Sequence, residues 1–120
     1  MDALIIAAHG SRRKESNQEV AVLAARLSKK LNPIFEQVDH AFLQFAEPLL
    51  ETKIEEVAST GAKKIVVFPF FIGSGSHIRV DIPNLIKAAR MKYPETDVII
   101  TRHLGKIESI EDVIVNEVIS

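Results

Sequence analysis

The chain has no cysteine among its 120 residues, so disulfides, thiolate zinc sites, iron–sulfur clusters and cysteine nucleophiles are all excluded. A cytoplasmic setting is the expectation, and any chemistry falls to His, Asp, Glu, Ser and Lys. Charge of one sign is also lacking: 15 Lys and Arg stand against 16 Asp and Glu, a net charge of -1. No global positive field exists to hold nucleic acid or an anionic membrane, and an anionic ligand must be met by a local patch. Long apolar runs are missing as well. The opening Met1 to Ala8 is apolar but too short to span a bilayer, and it lacks the basic lead and cleavage pattern of a secretory signal. Internal repeats, low-complexity tracts and linkers are absent too. What remains is 47% hydrophobic and 26% charged residues, enough for one globular domain, residues 1–120, around a real core.

Hydrophobic period alternates along the chain. Leu4 to Ala8 and Lys64 to Pro69 are short continuous apolar runs, as in strands buried on both faces. Val38 to Phe45 mixes polar and apolar residues, which suits an edge strand, and Asp97 to Thr101 reads as a fourth strand. Between them lie helical stripes. Val20, Leu23, Ala24, Leu27 and Leu31 form the first, ended by Asn32-Pro33, and Leu50, Ile54, Val57 and Ala58 form the second, with Gly61 at its C-terminal cap. Ile82, Leu85, Ile86 and Ala89 form the third, with Pro83 expected in its first turn and Asp81 read as its cap ahead of the alternative of facing a ligand. Ile107 to the C-terminus is the fourth, and its apolar residues cover more of its circumference than one sheet face would bury. This βαβαβαβα alternation predicts a three-layer αβα domain of flavodoxin-like architecture, with a four-stranded parallel sheet in the order 2-1-3-4. The ligand crevice of such a sheet lies beyond the carboxyl ends of the strands, where the order reverses between strands one and three.

His9 and His77 sit in the two loops that open at that crevice. Imidazole is a good ligand for first-row divalent metals and a usable base; the alternative is a pair of hydrogen-bonded loop residues. Arg12, Arg13 and Lys14 beside His9, and Arg79 after His77, could attract carboxylates or phosphates, or could be solvated surface charge. Gly73-Ser74-Gly75-Ser76 could cradle a ligand or form a mobile flap, or be merely a turn, but it carries neither a Walker lysine nor a dinucleotide fingerprint. Ser11, Ser74 and Ser76 lack the nucleophile elbow of a serine hydrolase. His40, inside strand two, reads as structural. His103 follows strand four on the crevice edge without a local motif, and Glu47 stands at a strand-to-helix corner where it could serve the helix start or a ligand.

Ala8-His9-Gly10-Ser11-Arg12, Phe42-Leu43-Gln44-Phe45-Ala46-Glu47-Pro48, Phe68-Pro69-Phe70-Phe71 with Gly75-Ser76-His77, and Asp81-Ile82-Pro83 together resemble the small CbiX-type chelatases over almost the whole chain. The resemblance implies a class II chelatase fold, equivalent to one half of the longer two-domain members, and insertion of a divalent metal into sirohydrochlorin in cobalamin or siroheme biosynthesis. It implies Co2+ or Fe2+ as the metal substrate, with Ni2+ a third candidate, no nucleotide, and pairing of the short members as homodimers. The residues matching the family's metal ligands and proton acceptors are His9 and His77. Ser11, Arg12, Arg13, Gly73, Ser74, Gly75, Ser76 and Arg79 are expected to meet the anionic tetrapyrrole, with no nucleic acid or membrane partner. Gln44 and Glu47 are further candidates. Several long relatives carry a metal-site glutamate where Gln44 stands, and an amide offers a carbonyl oxygen but no charge. A non-catalytic tetrapyrrole or metal carrier on the same fold is the alternative, and a flavodoxin-like nucleotide module the third.

Overall fold

The computed structural model describes residues 1–73 and 75–120, with the side chains of residues 76–78 outside the described set. Chain order is β1 (Asp2–Ala8), α1 (Lys14–Leu31), β2 (Gln37–Phe42), α2 (Leu50–Ser59), β3 (Lys64–Pro69), α3 (Ser76–Lys92), β4 (Asp97–Ile100), a 3₁₀ turn (Leu104–Lys106) and α4 (Ser109–Ile119). All strands are parallel and the sheet order is β2-β1-β3-β4, as the burial pattern predicts.

Strand β1 alternates between two cores because successive side chains leave opposite faces of a strand. Ala3, Ile5 and Ala7 join Ile65, Val67 and Val98 beneath α2 and α3, where Ile54, Val57, Ile82 and Ile86 complete the larger core. Leu4, Ile6 and Ala8 face the other way and meet Val20 and Ala24 of α1. Register carries these faces across the sheet: Ile5 lies beside Val67, while Leu4 lies beside Val66, which lies beside Ile99. Burial on the α1 face declines along that row. Leu4 is buried, whereas Val66 and Ile99 are only partly so, because α1 covers β1 and β2 and leaves β3 and β4 less screened.

Gly61 adopts φ +89° just past α2 and its N–H donates to the Ala58 carbonyl at 3.0 Å, the left-handed cap expected there. Helix α3 departs from expectation. It begins at Ser76, so Ser76 and His77 belong to its first turn rather than to a loop, and Pro83 lies inside the helix instead of at its start. Asp81 is accordingly an internal helix residue and not the cap. The glycine-serine composition suggests a loop that continues further than it does, and proline at a helix start is the commoner arrangement. Helix α4 is exposed from Glu111 to its end at Ile119, including Val113, Ile114, Val115 and Val118.

Candidate functional site

Parallel strands send their carboxyl ends to one rim, and the β1 and β2 exits are held together there by backbone. The N–H groups of Leu43 and Gln44 donate to the carbonyls of Ala8 and His9 at 3.0 and 3.1 Å. Gly10, at φ +92°, makes the contact possible: a Cβ there would stand 1.8 Å from the Gln44 carbonyl oxygen. The β3 and β4 exits are joined in the same way. Gly105 donates its N–H to the Phe71 carbonyl at 3.1 Å, and a Cβ on it would lie 1.8 Å from the Ile72 carbonyl oxygen.

His9 projects from the end of β1 as an exposed side chain. Its ring leans on Phe71, centroids 4.8 Å apart, and Phe71 in turn stacks on His103 at 5.5 Å and 20°. Phe71 is buried, so it forms a fixed apolar spacer between the two imidazoles. A cleft of about 430 Å³ brings His9 together with Gln44, Gly75 and Asp81, walled by Leu43, Ile82 and Leu85. Asp81, expected as a cap, is therefore a carboxylate in the cleft of His9. A second cleft of about 380 Å³ opens on the other side of His9 and includes Gly10, Ser11 and Asn17. A third, of about 650 Å³, lies past Phe71 and takes in Arg79, Arg102, His103 and Lys106.

The β1–α1 loop is pinned by Asn17. Its side-chain carbonyl accepts the Ser11 N–H at 2.9 Å, its amide donates to the Ser11 carbonyl at 2.7 Å, and the Ser11 hydroxyl accepts the Arg13 N–H at 3.0 Å. Asn17 carries no signal in sequence beyond being polar near a helix start, yet it fixes the segment that bears His9. Arg12 places its guanidinium 4.8 Å above the ring of Phe45, a residue held at φ +66° in the β2–α2 loop. A cation over an aromatic face keeps its N–H edge available to an anion. Arg12 thus sits across the β2 side, while Arg79 sits across the β4 side.

Glu47 is exposed in the β2–α2 loop and lines none of these three clefts. Gly73 is exposed, and the expectations placed on Ser74 and on the side chains of Ser76 and His77 fall outside the described residues. His40 lies mid-strand beside Phe42, and burial, with a smaller repulsion from Lys53, pushes its imidazole below the usual histidine range, in keeping with a structural role. Among the described residues no three of His, Asp or Glu gather closely enough to hold a metal ion. None of their helices is long and apolar enough to cross a membrane.

A parallel doubly wound sheet with an imidazole and a carboxylate in a crevice at its topological switch point defines the α/β class whose ligands bind at the strand exits. The CbiX family model matches residues 3–120, and the chain belongs to that family. It is 30% identical over 118 residues to the sirohydrochlorin ferrochelatase of Priestia megaterium, covering 98% of this chain and 44% of that protein. It is 33% identical over 124 residues to the sirohydrochlorin cobaltochelatase of Saccharolobus solfataricus, covering 98% of this chain and 94% of that one. Among solved structures, the sirohydrochlorin chelatase SirB of Bacillus subtilis subspecies spizizenii in complex with cobalt superposes with a TM-score of 0.81 at 27% identity, over 98% of this chain and 49% of that one. The chain spans about half the length of the Priestia and Bacillus proteins, and nearly the full length of the archaeal one.

Proposed function

We propose that this chain is a sirohydrochlorin chelatase that inserts Co2+ or Fe2+ as a homodimer, with His9 and His77 as metal ligands and proton acceptors. The observation that carries this reading is the placement of His9, exposed at the switch point and seated against the buried ring of Phe71, in a cleft it shares with Gln44 and Asp81. Family membership and the names of the relatives support it.

The chemistry divides into three demands. A hydrated divalent ion must lose water, the macrocycle must distort so that a nitrogen lone pair faces the metal, and two pyrrole N–H protons must leave as the metal enters. Neutral imidazole meets the first by replacing water ligands, and on releasing the ion it can accept a proton. Asp81 adds negative charge that favours a divalent cation in the cleft, and the side-chain amide oxygen of Gln44 is a neutral ligand where a carboxylate would compete more strongly for the ion. His77 stands one turn before Asp81 on α3. Two protons leave, and the two proposed histidines supply one acceptor each. Arg12 and Arg13, at the β1 exit, and Arg79, in the third cleft, face the acetate and propionate groups through charge-assisted hydrogen bonds. Ser11, Gly73 and Gly75 are assigned to the same face of the macrocycle.

Pairing of two copies gives α4 its role. With a radius of gyration of 14.6 Å, one domain offers a rim rather than an enclosure for a flat tetrapyrrole. Helix α4 exposes Val115 at 50% and Ile119 at 75%, while Val66 and Ile99 lie incompletely covered on the α1 face of β3 and β4. An aliphatic helix without a sheet and a sheet strip without a helix, in the same chain, are satisfied together when each copy lends α4 to the other. Ile114→Asp with Val118→Asp, one turn apart on α4, is expected to convert a dimer to a monomer in sedimentation; a wild-type chain that stays monomeric at assay concentration overturns the pairing.

Anaerobic incubation of the purified protein with sirohydrochlorin and Co2+ or Fe2+, followed by absorbance, tests the reaction. Multiple turnovers above the uncatalysed rate are expected. Tight binding of tetrapyrrole or metal with no acceleration would instead identify a carrier.

A further inference from the structure

The clefts on either side of Phe71 differ in charge. Among the described residues, the one that His9 shares with Gln44 holds one carboxylate, Asp81, and no Lys or Arg. The β4-side cleft, about 650 Å³, is lined by Arg79, Arg102 and Lys106 together with Thr101 and His103, and among the described residues by no carboxylate. In a chain whose acids outnumber its bases 16 to 15, cations gathered along one cleft wall depart from the usual mixing of signs on a surface. Among the described residues, neither Arg102 nor Lys106 takes part in an ion pair.

This cleft is built on a constrained frame. Gly105 binds the Phe71 carbonyl and lies against the Ile72 carbonyl oxygen, so the turn between Arg102 and Lys106 is locked onto the β3 exit. Inside the turn, the Lys106 and Ile107 N–H groups donate to the carbonyls of His103 and Leu104 at 3.0 and 3.1 Å. His103 stacks on the same Phe71 that supports His9, which places the cations two ring contacts from the imidazole. An extended anion lying over His9 and Phe71 would reach them with its periphery.

We infer that Arg102 and Lys106, acting with Arg79, form a second carboxylate-binding subsite, taking acid side chains of the tetrapyrrole on the edge opposite Arg12 and Arg13. This rests on the sirohydrochlorin reading above. Cations on two opposing sides of the His9 cleft fix the rotation of a flat polycarboxylate as well as its affinity. Guanidinium forks bind carboxylates in two parallel hydrogen bonds, and Lys106 adds a point charge at the rim.

The test is a titration of sirohydrochlorin without metal, read by absorbance or fluorescence, so that binding is measured independently of turnover. Arg102→Ala with Lys106→Ala is expected to raise Kd about 10-fold or more and to flatten its dependence on salt. Lys29→Ala with Lys30→Ala, in the last turn of α1, makes the same change in net charge away from the rim and is expected to leave Kd and turnover unchanged. An unchanged Kd in the Arg102/Lys106 variant overturns the subsite, as does an equal loss in the Lys29/Lys30 variant or a wild-type protein that does not bind sirohydrochlorin. A wild-type protein that binds it without inserting metal ends the chelatase reading alone, and the comparison of Kd values still decides the subsite.

Discussion

His9→Ala is expected to lower the rate of metal insertion by about 100-fold or more while leaving the domain folded. The side chain is exposed, and its principal contact is one aromatic face, Phe71 at 4.8 Å. Losing that contact removes about 0.5–1.5 kcal/mol, a minor part of the 5–15 kcal/mol typical of a domain. Among the described residues of its cleft, Gln44 and Asp81 offer oxygen atoms and no second imidazole. His9→Gln sharpens the experiment, because the amide can coordinate through oxygen but does not take up a proton near neutral pH. A His9→Gln protein that binds Co2+ measurably and turns over slowly would separate the ligand role from the proton role. His77→Ala is expected to show a loss of similar size. Circular dichroism and single-turnover absorbance check both, and wild-type rates in either variant would remove the proposed ligand set.

Gly10→Ala is expected to damage the fold rather than the chemistry alone. A φ of +92° already disfavours any side chain, at a cost of about 1–3 kcal/mol. The new methyl would also stand 1.8 Å from a backbone oxygen, that of Gln44, which cannot rotate aside as a flexible side-chain end can. The β1 and β2 exits must then part, breaking the hydrogen bonds of Leu43 and Gln44 to Ala8 and His9. A total of about 3–5 kcal/mol follows, enough to lower Tm by on the order of 10 °C in a domain of this size. Gly73→Ala is the informative control, since a Cβ there meets nothing within 4 Å. Equal melting temperatures for wild type and Gly10→Ala would mean that the rim is looser than the close contact at Gln44 implies.

Much of the architecture is legible in residue order because burial and period are local properties. Leu4 to Ala8 and Lys64 to Pro69 announce central strands, and the mixed Val38 to Phe45 announces an edge, which together fix the sheet order. The start of α3 is less legible. Gly73 to Ser76 has the composition of a loop and Pro83 that of a first turn, so composition points to a start later than Ser76, where the helix begins. The same displacement tips the reading of Asp81 toward a cap: a carboxylate at a helix start caps it, whereas the same residue one turn in can face a cleft. Asn17 and Gly105 were hidden for another reason. Their partners, Ser11 and Ile72, lie 6 and 33 positions away, and no periodicity marks such contacts. The aromatic row His9, Phe71 and His103 likewise joins three strand exits that only the folded sheet brings side by side.

The paired straps at Gly10 and Gly105 bear on how such a rim can change over evolutionary time. Each leaves no space for even a methyl group, so a side chain at either position would push the neighbouring backbone away. Diversification toward another ligand is thereby channelled into side-chain exchange on a constant backbone outline. Position 44, whose carbonyl is captive while its side chain is exposed, is where such exchange meets the least resistance.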